Sequence, residues 1–294
     1  MVKRNLGDPK ISIVTPSFNQ GLFLEETIQS VVNQEYPNLE YIVIDGGSTD
    51  GSVDIIKKYA DKITTWVSEP DGGQYDAINK GFARSTGDIM AWINSDDLYV
   101  NGNLSIVAEI FASFPQVQWI TSRFPLIADK DSRFVNCNYN EGFTRKGFFR
   151  GENLSPRFKG GQDWIQQEST FWRRSLWEKV GGCVDASLKM AGDFDLWARF
   201  YKETELYTVG TPLAGFRVHP LQKTSQIQVY LDEAEQVFYK HGGKPYRQWE
   251  LMLQTMRKQL PLRIQNMLRN RGFMPHRRMI GARFRGRGWD LYQY

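Results

Sequence analysis

Residues 87–97 read GDIMAWINSDD, a short apolar run that ends in two adjacent acids. An apolar run of this length without helical periodicity predicts a strand that is buried on both faces. Asp96 and Asp97 follow its carboxyl end, where open α/β sheets bind their ligands. Because adjacent carboxylates repel each other, they favour a site where a cation or hydrogen-bond donors lie between them. A hard divalent ion that bridges to substrate phosphates fits this demand; a solvated loop is the alternative for an isolated Asp-Asp pair.

Polar or glycine-rich turns follow three other predicted strands, and begin at Pro16, Asp45 and Asp71. The strands are predicted at 11–15, 41–44 and 64–67, and the helices between and after them at about 23–32, 53–59 and 74–84. Strands that alternate with helices at this spacing form right-handed βαβ units and a mostly parallel sheet with helices on both faces. The four turns therefore meet at one edge of the sheet, and form a crevice with acids from several loops.

The second half of the chain is less regular, and its pattern predicts one domain over residues 1–225 and a helical, basic C-terminal extension over residues 226–294. Further strands are predicted at 117–120 and 169–172, a helix at 193–201, a β pair from 206–209 and 213–218, and helices from 226 to about 271 that break at Gly242-Gly243 and Pro261. The polar stretch 121–166 is too long for an inert connection and predicts an acceptor-side region with short strands. The glycine-interrupted arginines at the end predict a mobile tail: Arg277, Arg278, Arg283, Arg285 and Arg287.

The composition is that of a globular protein with a full core, since 41% of its 294 residues are hydrophobic and 24% are charged. Cys137 and Cys183 form no spaced pattern, so they predict neither a disulfide framework nor a zinc site. The first residues lack the apolar core of a signal peptide. No apolar run approaches the ~20 residues of a membrane span. These features predict a cytoplasmic protein.

The net charge of +4 is unevenly distributed. Residues 244–294 contain 12 Lys and Arg but only Glu250 and Asp290 as acids. A basic tail on an acidic body predicts an anionic partner. No recognised nucleic-acid motif accompanies the arginines, so we expect no nucleic acid and favour a peripheral contact with anionic lipid headgroups at the inner face of the plasma membrane. A tail that is merely solvated is the alternative.

The first turn excludes two common classes of nucleotide-binding protein. Residues 15–19 read TPSFN and match neither the glycine-rich dinucleotide loop nor the P-loop. A redox Rossmann enzyme and a P-loop kinase are therefore not expected. An acidic crevice that binds a phosphorylated ligand needs a metal ion to offset the repulsion, which favours a nucleotide or a nucleotide-sugar ligand.

Five motifs in a fixed order carry a family resemblance. They are IVTPSFN at 13–19, IDGGSTDG at 44–51, NSDD at 94–97, MAGDFDLW at 190–197 and FRVH at 216–219. With these motifs the sequence resembles the family two glycosyltransferases, which have the GT-A fold, over roughly residues 10–225. Each motif alone is weak, whereas five in order are specific. The resemblance implies an inverting transfer of a sugar from a nucleotide diphosphate sugar.

The resemblance assigns the nucleoside to the first three turns. Pro16 and Phe18 would pack against the base, and the backbone of Thr15 would hydrogen-bond to it. Asp45 would accept hydrogen bonds from the base or the ribose, and Asp71 would contact the base or the sugar. The alternative for both acids is a role as turn formers, because Asp-Gly sequences favour turns.

The family pattern also assigns a metal ion, Mg²⁺ or Mn²⁺, to the NSDD motif. Asp96 would lie near the ribose and Asp97 on the metal, with His219 as a second ligand on the metal side. Asn94 stands where many members of the family have an acid, which leaves one carboxylate fewer. A lone histidine is more often structural, which is the alternative for His219.

Two basic residues near His219 are candidates for the phosphates of the donor. Arg217 and Lys223 are close enough in sequence to assist phosphate binding, and a surface charge is the alternative for each.

Asp193 is the candidate for the catalytic base. Inversion requires a carboxylate that takes the proton of the acceptor hydroxyl as its oxygen attacks the anomeric carbon. Gly192 stands where the family often has an acid. The alternative for Asp193 is a helix cap, a frequent position of Asp, and Asp195 in the first helical turn is expected to be structural or acceptor-binding.

Taken together, the resemblance implies a metal-dependent hexosyltransferase that uses a nucleotide-sugar donor, UDP-sugar favoured, and a saccharide or lipid-linked acceptor in surface polysaccharide biosynthesis. A sugar nucleotidyltransferase would need a basic, glycine-rich first loop, which is absent from residues 15–19. A non-catalytic sugar-binding scaffold predicts loss of the base or a metal ligand, whereas Asp97 and Asp193 are both present.

Overall fold

The structure, a computed structural model, describes residues 8–154, 157–158, 164–271, 273–283 and 288–293. Among these residues the strands are β1 (Ile11–Ser17), β2 (Leu39–Asp45), β3 (Thr65–Ser68), β4 (Ile89–Trp92), β5 (Leu98–Tyr99), β6 (Trp119–Ser122), β7 (Leu126–Ala128), β8 (Phe134–Cys137), β9 (Phe171–Arg173), β10 (Tyr207–Val209), β11 (Ala214–Arg217), β12 (Arg278–Ala282) and β13 (Trp289–Gln293). The helices are α1 (Leu24–Val32), α2 (Ser52–Lys58), α3 (Gln74–Ala83), α4 (Asn103–Ser113), α5 (Arg145–Phe148), α6 (Arg174–Lys179), α7 (Gly192–Glu203), α8 (Ile227–Lys240), α9 (Gln248–Lys258) and α10 (Leu262–Asn270).

The main sheet confirms the predicted α/β architecture. Its order in the described part of the chain is β13-β12-β10-β6-β9-β4-β1-β2-β3, with helices on both faces. β1, β2, β3 and β4 pair in parallel, as do β6, β10 and β12. β9 runs antiparallel between β4 and β6, and β13 runs antiparallel along β12. Every residue of β1 and β4 is buried, as the apolar runs predict for central strands.

Four tryptophans fix helix α7 on the sheet. Trp197 of α7 stacks on Trp92 of β4 and on Trp119 of β6, with ring centroids 6.0 and 5.5 Å apart. Trp172 of β9 meets Trp197 edge-on at 5.9 Å. All four side chains are buried, and aromatic pairs at these distances add to the free energy of burial. The packing holds the first turn of α7 beside the carboxyl end of β4.

The predicted β pair at 206–209 and 213–218 does not form. Both strands exist, but β10 enters the main sheet beside β6, whereas β11 joins a smaller sheet of order β5-β11-β7-β8. The two residues of β5 follow directly on the turn after β4, so the smaller sheet is built over the carboxyl end of the main sheet. Sequence periodicity identifies strands, but it does not identify their partners.

The C-terminal segment differs in part from the prediction. Helices α8, α9 and α10 confirm the helical interpretation, with breaks at the predicted glycines and at Pro261. The arginine-rich end is not a mobile tail in its described part, because β12 and β13 form a hairpin that extends the main sheet through β10. Arg285 and Arg287 lie outside the described residues. The predicted boundary at residue 225 is therefore crossed by the sheet and by the packing of α8 on α7.

Among the described residues no helix combines the length and the apolar character that crossing a membrane requires.

Candidate active site

A cavity of about 460 Å³ opens at the carboxyl edge of the main sheet. Its walls come from the ends of β1 and β4, the start of α3, the segment before β9, the start of α7 and the segment that leads into α8. The predicted site residues among its lining are Pro16, Phe18, Asp71, Asp96 and Asp193. Three of the four turns that the sequence predicts to converge, those at Pro16, Asp71 and Asp96, therefore line one crevice.

Phe18 and Asp71 form one end of the cavity on either side of Gly46. Phe18 is 60% exposed, which is unusual for an aromatic side chain and leaves its face free for a planar ligand. A Cβ on Gly46 would lie 2.9 Å from Oδ2 of Asp71 and 3.2 Å from Cδ2 of Phe18. Glycine at this position therefore allows the close approach of the two side chains without either having to shift. Pro16 lines the same end.

Thr15 and Asp45 lie outside the cavity wall, which differs from the prediction. The Thr15 side chain is buried within the sheet and accepts a hydrogen bond from the Tyr41 hydroxyl at 3.1 Å. The Asp45 carboxylate is fully buried and accepts hydrogen bonds from the hydroxyls of Ser48, at 2.5 Å, and Ser68, at 2.7 Å. Asp45 thus stabilises its own turn, which is the role that its Asp-Gly sequence allows.

The two acids of the NSDD motif, Asp96 and Asp97, face in different directions. Asp96 lines the cavity, and its Oδ2 lies 3.1 Å from Nε2 of His219. Asp97 lies outside the cavity wall, with 1% of its surface exposed. Its carboxylate accepts hydrogen bonds from the backbone NH of Arg217 at 3.0 Å and from the Asn94 amide at 3.1 Å. Burial, together with the nearby acids, raises its pKa well above the usual range. In the structure Asp96, not Asp97, therefore faces the cavity, which differs from the placement that the sequence predicts for the two acids.

The side-chain amide of Asn94 connects Asp97 to residues of the cavity wall. Its Nδ2 donates to Asp97 and to Oε1 of Gln167 at 3.2 Å, and its Oδ1 accepts from Nε2 of Gln74 at 2.7 Å. Gln74 in turn accepts from Nζ of Lys223 at 2.9 Å. A carboxylate could not donate to Asp97 and would repel it. The amide in place of an acid therefore suits a motif whose second aspartate is buried.

Arg217 is placed differently from the prediction. Its side chain is fully buried and pairs with Glu26 at 2.8 Å, and its guanidinium lies 5.0 Å from the centroid of the Phe23 ring. It does not line the cavity. Lys223 does line it, so Lys223 is the better-placed cation for a phosphate. Burial lowers the pKa of Lys223, although nearby Asp96 and Asp71 oppose that shift.

Asp193 is partly buried in the first turn of α7, on the cavity wall. Burial raises its pKa to about 7, against hydrogen bonds from backbone NH groups that favour the ionised form. A carboxyl group with such a pKa can accept a proton near neutral pH, as a general base must. Asp195 is instead a structural residue: despite its burial, hydrogen bonds from His241 and Arg199 lower its pKa to about 2.

Glu168, which no sequence motif singles out, is buried and lines the cavity. It precedes β9, the strand that runs antiparallel between β4 and β6. The start of an antiparallel strand lies at the same edge as the ends of its parallel neighbours, so Glu168 reaches the crevice. The sequence QQEST at 166–170 carries a glutamate, but nothing in its pattern gives the direction of the strand.

Comparison with known proteins identifies the family of the chain. Residues 12–174 match the family model described as Glycosyl transferase family 2. The chain belongs to glycosyl transferase family 2. An uncharacterized glycosyltransferase of Mycobacterium tuberculosis is 30% identical over 212 residues, which are 71% of this chain and 75% of the relative. The putative teichuronic acid biosynthesis glycosyltransferase TuaG of Bacillus subtilis is 35% identical over 99 residues, which are 33% of this chain and 39% of TuaG.

Solved glycosyltransferase structures share the fold of this family 2 chain. Staphylococcus aureus TarS (residues 1–349) in complex with UDP-GlcNAc has a TM-score of 0.59 and 17% identity, over 79% of this chain and 66% of that one. The mannosyltransferase PcManGT of Pyrobaculum calidifontis, in complex with GDP-Man and Mn²⁺, has a TM-score of 0.59 and 18% identity, over 82% of this chain and 67% of that one. Both similarities confirm the GT-A fold.

The residues of this family 2 chain fit a divalent cation that is shared with the donor. Among the described residues, no three His, Cys, Asp or Glu side chains converge to hold an ion by themselves. Asp96 lines the cavity, and its Oδ2 lies 3.1 Å from Nε2 of His219, whose buried side chain does not line the cavity. Glu168 and Asp193 bring two more carboxyl groups to the same cavity. Mg²⁺ is typically bound by one or two carboxylates together with substrate phosphates and water. Asp96 on the cavity wall supplies one such carboxylate.

Proposed function

We propose that the protein is a metal-dependent inverting glycosyltransferase. It transfers a sugar from a nucleotide diphosphate sugar to a hydroxyl group of a saccharide or lipid-linked acceptor in surface polysaccharide biosynthesis. The observation that carries the proposal is the placement of Asp193, whose pKa is raised to about 7, in the same cavity as Asp96. A general base and a cation-binding carboxylate in one cavity are what this transfer requires.

Asp193 is the catalytic base in this proposal. Its carboxylate takes the proton of the acceptor hydroxyl while the acceptor oxygen bonds to the anomeric carbon and the bond from that carbon to the diphosphate oxygen breaks. Attack opposite the leaving group inverts the anomeric configuration. Asp96 and His219 would hold Mn²⁺ or Mg²⁺, which offsets the charge of the departing diphosphate. Lys223, hydrogen-bonded to Gln74 on the cavity wall, adds a positive charge for the same group.

The cavity favours a flat base at its outer end. Exposed Phe18 provides a surface on which a nucleobase can stack, and Asp71 provides an acceptor for its NH groups. We favour a UDP-sugar as the donor, and TarS is a complex with UDP-GlcNAc. A GDP-sugar is the alternative, since PcManGT is a complex with GDP-Man. The likeness to TuaG supports a surface polysaccharide as the destination of the sugar.

An anionic membrane surface is the proposed peripheral partner. On α9 the side chains of Trp249, Met252, Leu253 and Met256 recur at helical spacing and are between 40% and 63% exposed. Residues 251–289 contain ten Lys and Arg and no acid. An exposed apolar row beside a strongly basic segment is typical of helices that lie in the interface of an anionic bilayer. A lipid-linked acceptor would be found at such a surface.

A donor screen tests the proposed function. Purified protein is incubated with Mn²⁺ or Mg²⁺, a panel of uridine- and guanosine-linked sugars and saccharide acceptors, and the release of nucleoside diphosphate is measured. We expect release with one donor class, dependent on the divalent ion. Pyrophosphate release from a nucleoside triphosphate and a sugar phosphate would instead favour a nucleotidyltransferase. Binding of donor without turnover under any condition would favour a sugar-binding scaffold.

A further inference from the structure

Glu168 is a buried acid that has no partner on one of its oxygens. Only 3% of its surface is exposed, and its Oε1 makes no hydrogen bond within the described part of the chain. The side chain nevertheless lines the cavity. Burying a polar atom without a partner costs free energy, so such an atom on a cavity wall indicates that its partner belongs to the ligand.

The residues around Glu168 hold it in place. Gln167 donates from Nε2 to the carbonyl of Trp92 at 2.8 Å, at the end of β4. Gln166 donates to the carbonyl of Leu126 at 3.0 Å, and its Oε1 accepts from Ser169 at 2.7 Å. The side chains on both sides of Glu168 are therefore committed to the protein, whereas the acid itself points into the cavity from a fixed turn.

The charges of the cavity separate a phosphate end from a sugar end. Lys223 is the only Lys or Arg among the described residues that line it. Glu168 instead lies within electrostatic range of Asp96 and of Asp193. A diphosphate is attracted toward Lys223 and toward the ion proposed at Asp96, and is repelled by an ionised Asp193. The part of the donor beside Glu168 and the base is then uncharged.

The protonation of Glu168 fits an uncharged polyol. Burial raises its pKa to about 8, although a hydrogen bond from its own NH opposes this shift. Nearby Asp96 and Asp193 also raise the pKa, and a hydrogen bond from Gln166 lowers it. At neutral pH the carboxylic acid form therefore predominates, and it can both donate and accept a hydrogen bond. A sugar hydroxyl has the same double capacity, so the two groups are complementary.

We propose that Glu168 binds a hydroxyl group of the donor sugar and thereby orients its anomeric carbon toward Asp193. This assignment rests on the proposed function, and it makes Glu168 the positioning residue for the sugar. The other carboxylates of the cavity keep separate roles, with Asp193 as base and Asp96 on the ion. Gly192 lacks the acid that often precedes the base in the family, and Glu168 brings a carboxyl group to the same cavity from the turn before β9.

Two variants and two ligands test this inference. Dissociation constants are measured by calorimetry for UDP and for the UDP-sugar that the donor screen identifies, or for the guanosine pair if that class is used. Glu168→Met keeps the volume but removes both hydrogen-bonding atoms. We expect it to weaken nucleotide-sugar binding roughly tenfold and to leave nucleoside diphosphate binding unchanged, as the loss of one buried hydrogen bond implies. Glu168→Gln keeps a donor and an acceptor, and its binding of the sugar nucleotide should stay within about twofold of the wild type.

The outcomes separate this inference from the proposed function. If Glu168→Met binds both ligands more weakly by the same factor, or binds neither more weakly, the proposed sugar contact is overturned. A loss of nucleotide-sugar affinity in Glu168→Gln as large as that in Glu168→Met also overturns the proposed contact. We expect Glu168→Met to fold with a melting temperature at least equal to that of the wild type, because it removes a buried carboxyl oxygen that has no partner. Glu152→Gln is the control for the two dissociation constants. It changes a buried acid that is already hydrogen-bonded to Tyr246 and Gln254. If the wild type binds no nucleoside diphosphate or nucleotide sugar, the proposed function fails instead.

Discussion

The carboxylate of Glu233 accepts a hydrogen bond from the backbone NH of Met190 at 2.8 Å, although 43 residues separate them in sequence. The same carboxylate accepts from the NH groups of Lys189 and Ala191. Glu233 lies on α8, in the C-terminal segment, and these three NH groups belong to the loop that leads into α7 and Asp193. The C-terminal segment thus holds the loop that positions the proposed base.

Replacing Glu233 should therefore reduce turnover more than donor binding. In Glu233→Gln the side chain is neutral and loses charge-assisted hydrogen bonds to the loop, each of which is worth about 1.5–3 kcal/mol. We expect kcat to fall about tenfold with little change in KM for the nucleotide sugar, measured by nucleoside diphosphate release. Glu235→Gln on the same helix, where the acid pairs with Arg157, is the matched control. Equal effects of the two variants would contradict the positioning role of Glu233.

The pH profile of kcat should report the ionisation of Asp193. Because the pKa of this group is raised to about 7, the base is protonated and inactive below that pH. Activity should rise as the pH increases through about 7. Asp193→Asn should lose about 100- to 10,000-fold in kcat, the range of general-base catalysis, while nucleotide binding is unchanged. Asp185→Asn, at an acid held by Ser187 on the surface, should keep the wild-type profile. Retention of activity in Asp193→Asn would refute its role as base.

Asp96 and Asp97 should differ in their effect on metal dependence. Removal of divalent ions with a chelator is expected to abolish activity, and Mn²⁺ should restore it. In Asp96→Asn the concentration of Mn²⁺ for half-maximal activity should rise at least tenfold, because one of two proposed protein ligands is lost. Asp97 is buried away from the cavity, so Asp97→Asn should change that concentration by less than about twofold and act on stability instead. A large rise in Asp97→Asn and little change in Asp96→Asn would instead support Asp97 as the metal ligand, as the sequence resemblance implies.

Glu40 should contribute to stability above acidic pH. It accepts hydrogen bonds from Lys10, Ser12 and Thr86 at 2.5–2.8 Å. Burial alone would raise its pKa, but these donors outweigh burial and lower it to about 2. The contribution is therefore fully present above the unfolded pKa of about 4.5 and is lost as the pH falls toward 2. We expect Glu40→Gln to lower the free energy of unfolding by about 2 kcal/mol at pH 7 and to flatten its pH dependence between pH 5 and 2.

Denaturant unfolding at several pH values measures this effect. Asp54→Asn, at an acid whose side chain is 84% exposed beside Lys57, is the control and should change the free energy of unfolding by less than about 0.5 kcal/mol. A loss of stability in Glu40→Gln that is equally large at pH 2.5 would contradict the proposed charge effect.

Binding to anionic vesicles should depend on the apolar row of α9. Truncation near Gly243 would remove β12 and β13 from the sheet, so point variants are the better test. A variant with Trp249→Ser, Met252→Ser and Met256→Ser should lose most of its co-sedimentation with phosphatidylglycerol vesicles, because it removes the side chains that would enter the bilayer interface. Exposed Val135, on β8, provides the control Val135→Ser. Equal binding of all proteins, or equal binding to phosphatidylcholine vesicles, would contradict the proposal.

Much of the fold could be predicted because its signals are local. The apolar runs of β1, β2 and β4 identify buried strands, and the helical spacing between them identifies α1, α2 and α3. The breaks around α8, α9 and α10 follow from Gly242-Gly243 and Pro261, which do not continue a helix. The partners of the late strands could not be predicted, since β9, β10 and β12 have no sequence feature that states their direction or neighbours.

By itself, the sequence determined the alternating strands and helices, the edge at which their turns meet and five motifs that identify the family, because each depends on residues close together in the chain. Only the tertiary structure decided which acids face the cavity. Asp96 and Asp97 are adjacent and chemically identical, and the direction of their side chains is set by contacts with distant residues, His219 in one case and the NH of Arg217 in the other. Glu168 enters the site because β9 is antiparallel, and the loop before Asp193 is held by Glu233 from α8. Such long-range contacts set burial and hence the pKa of each acid, and no local pattern encodes them.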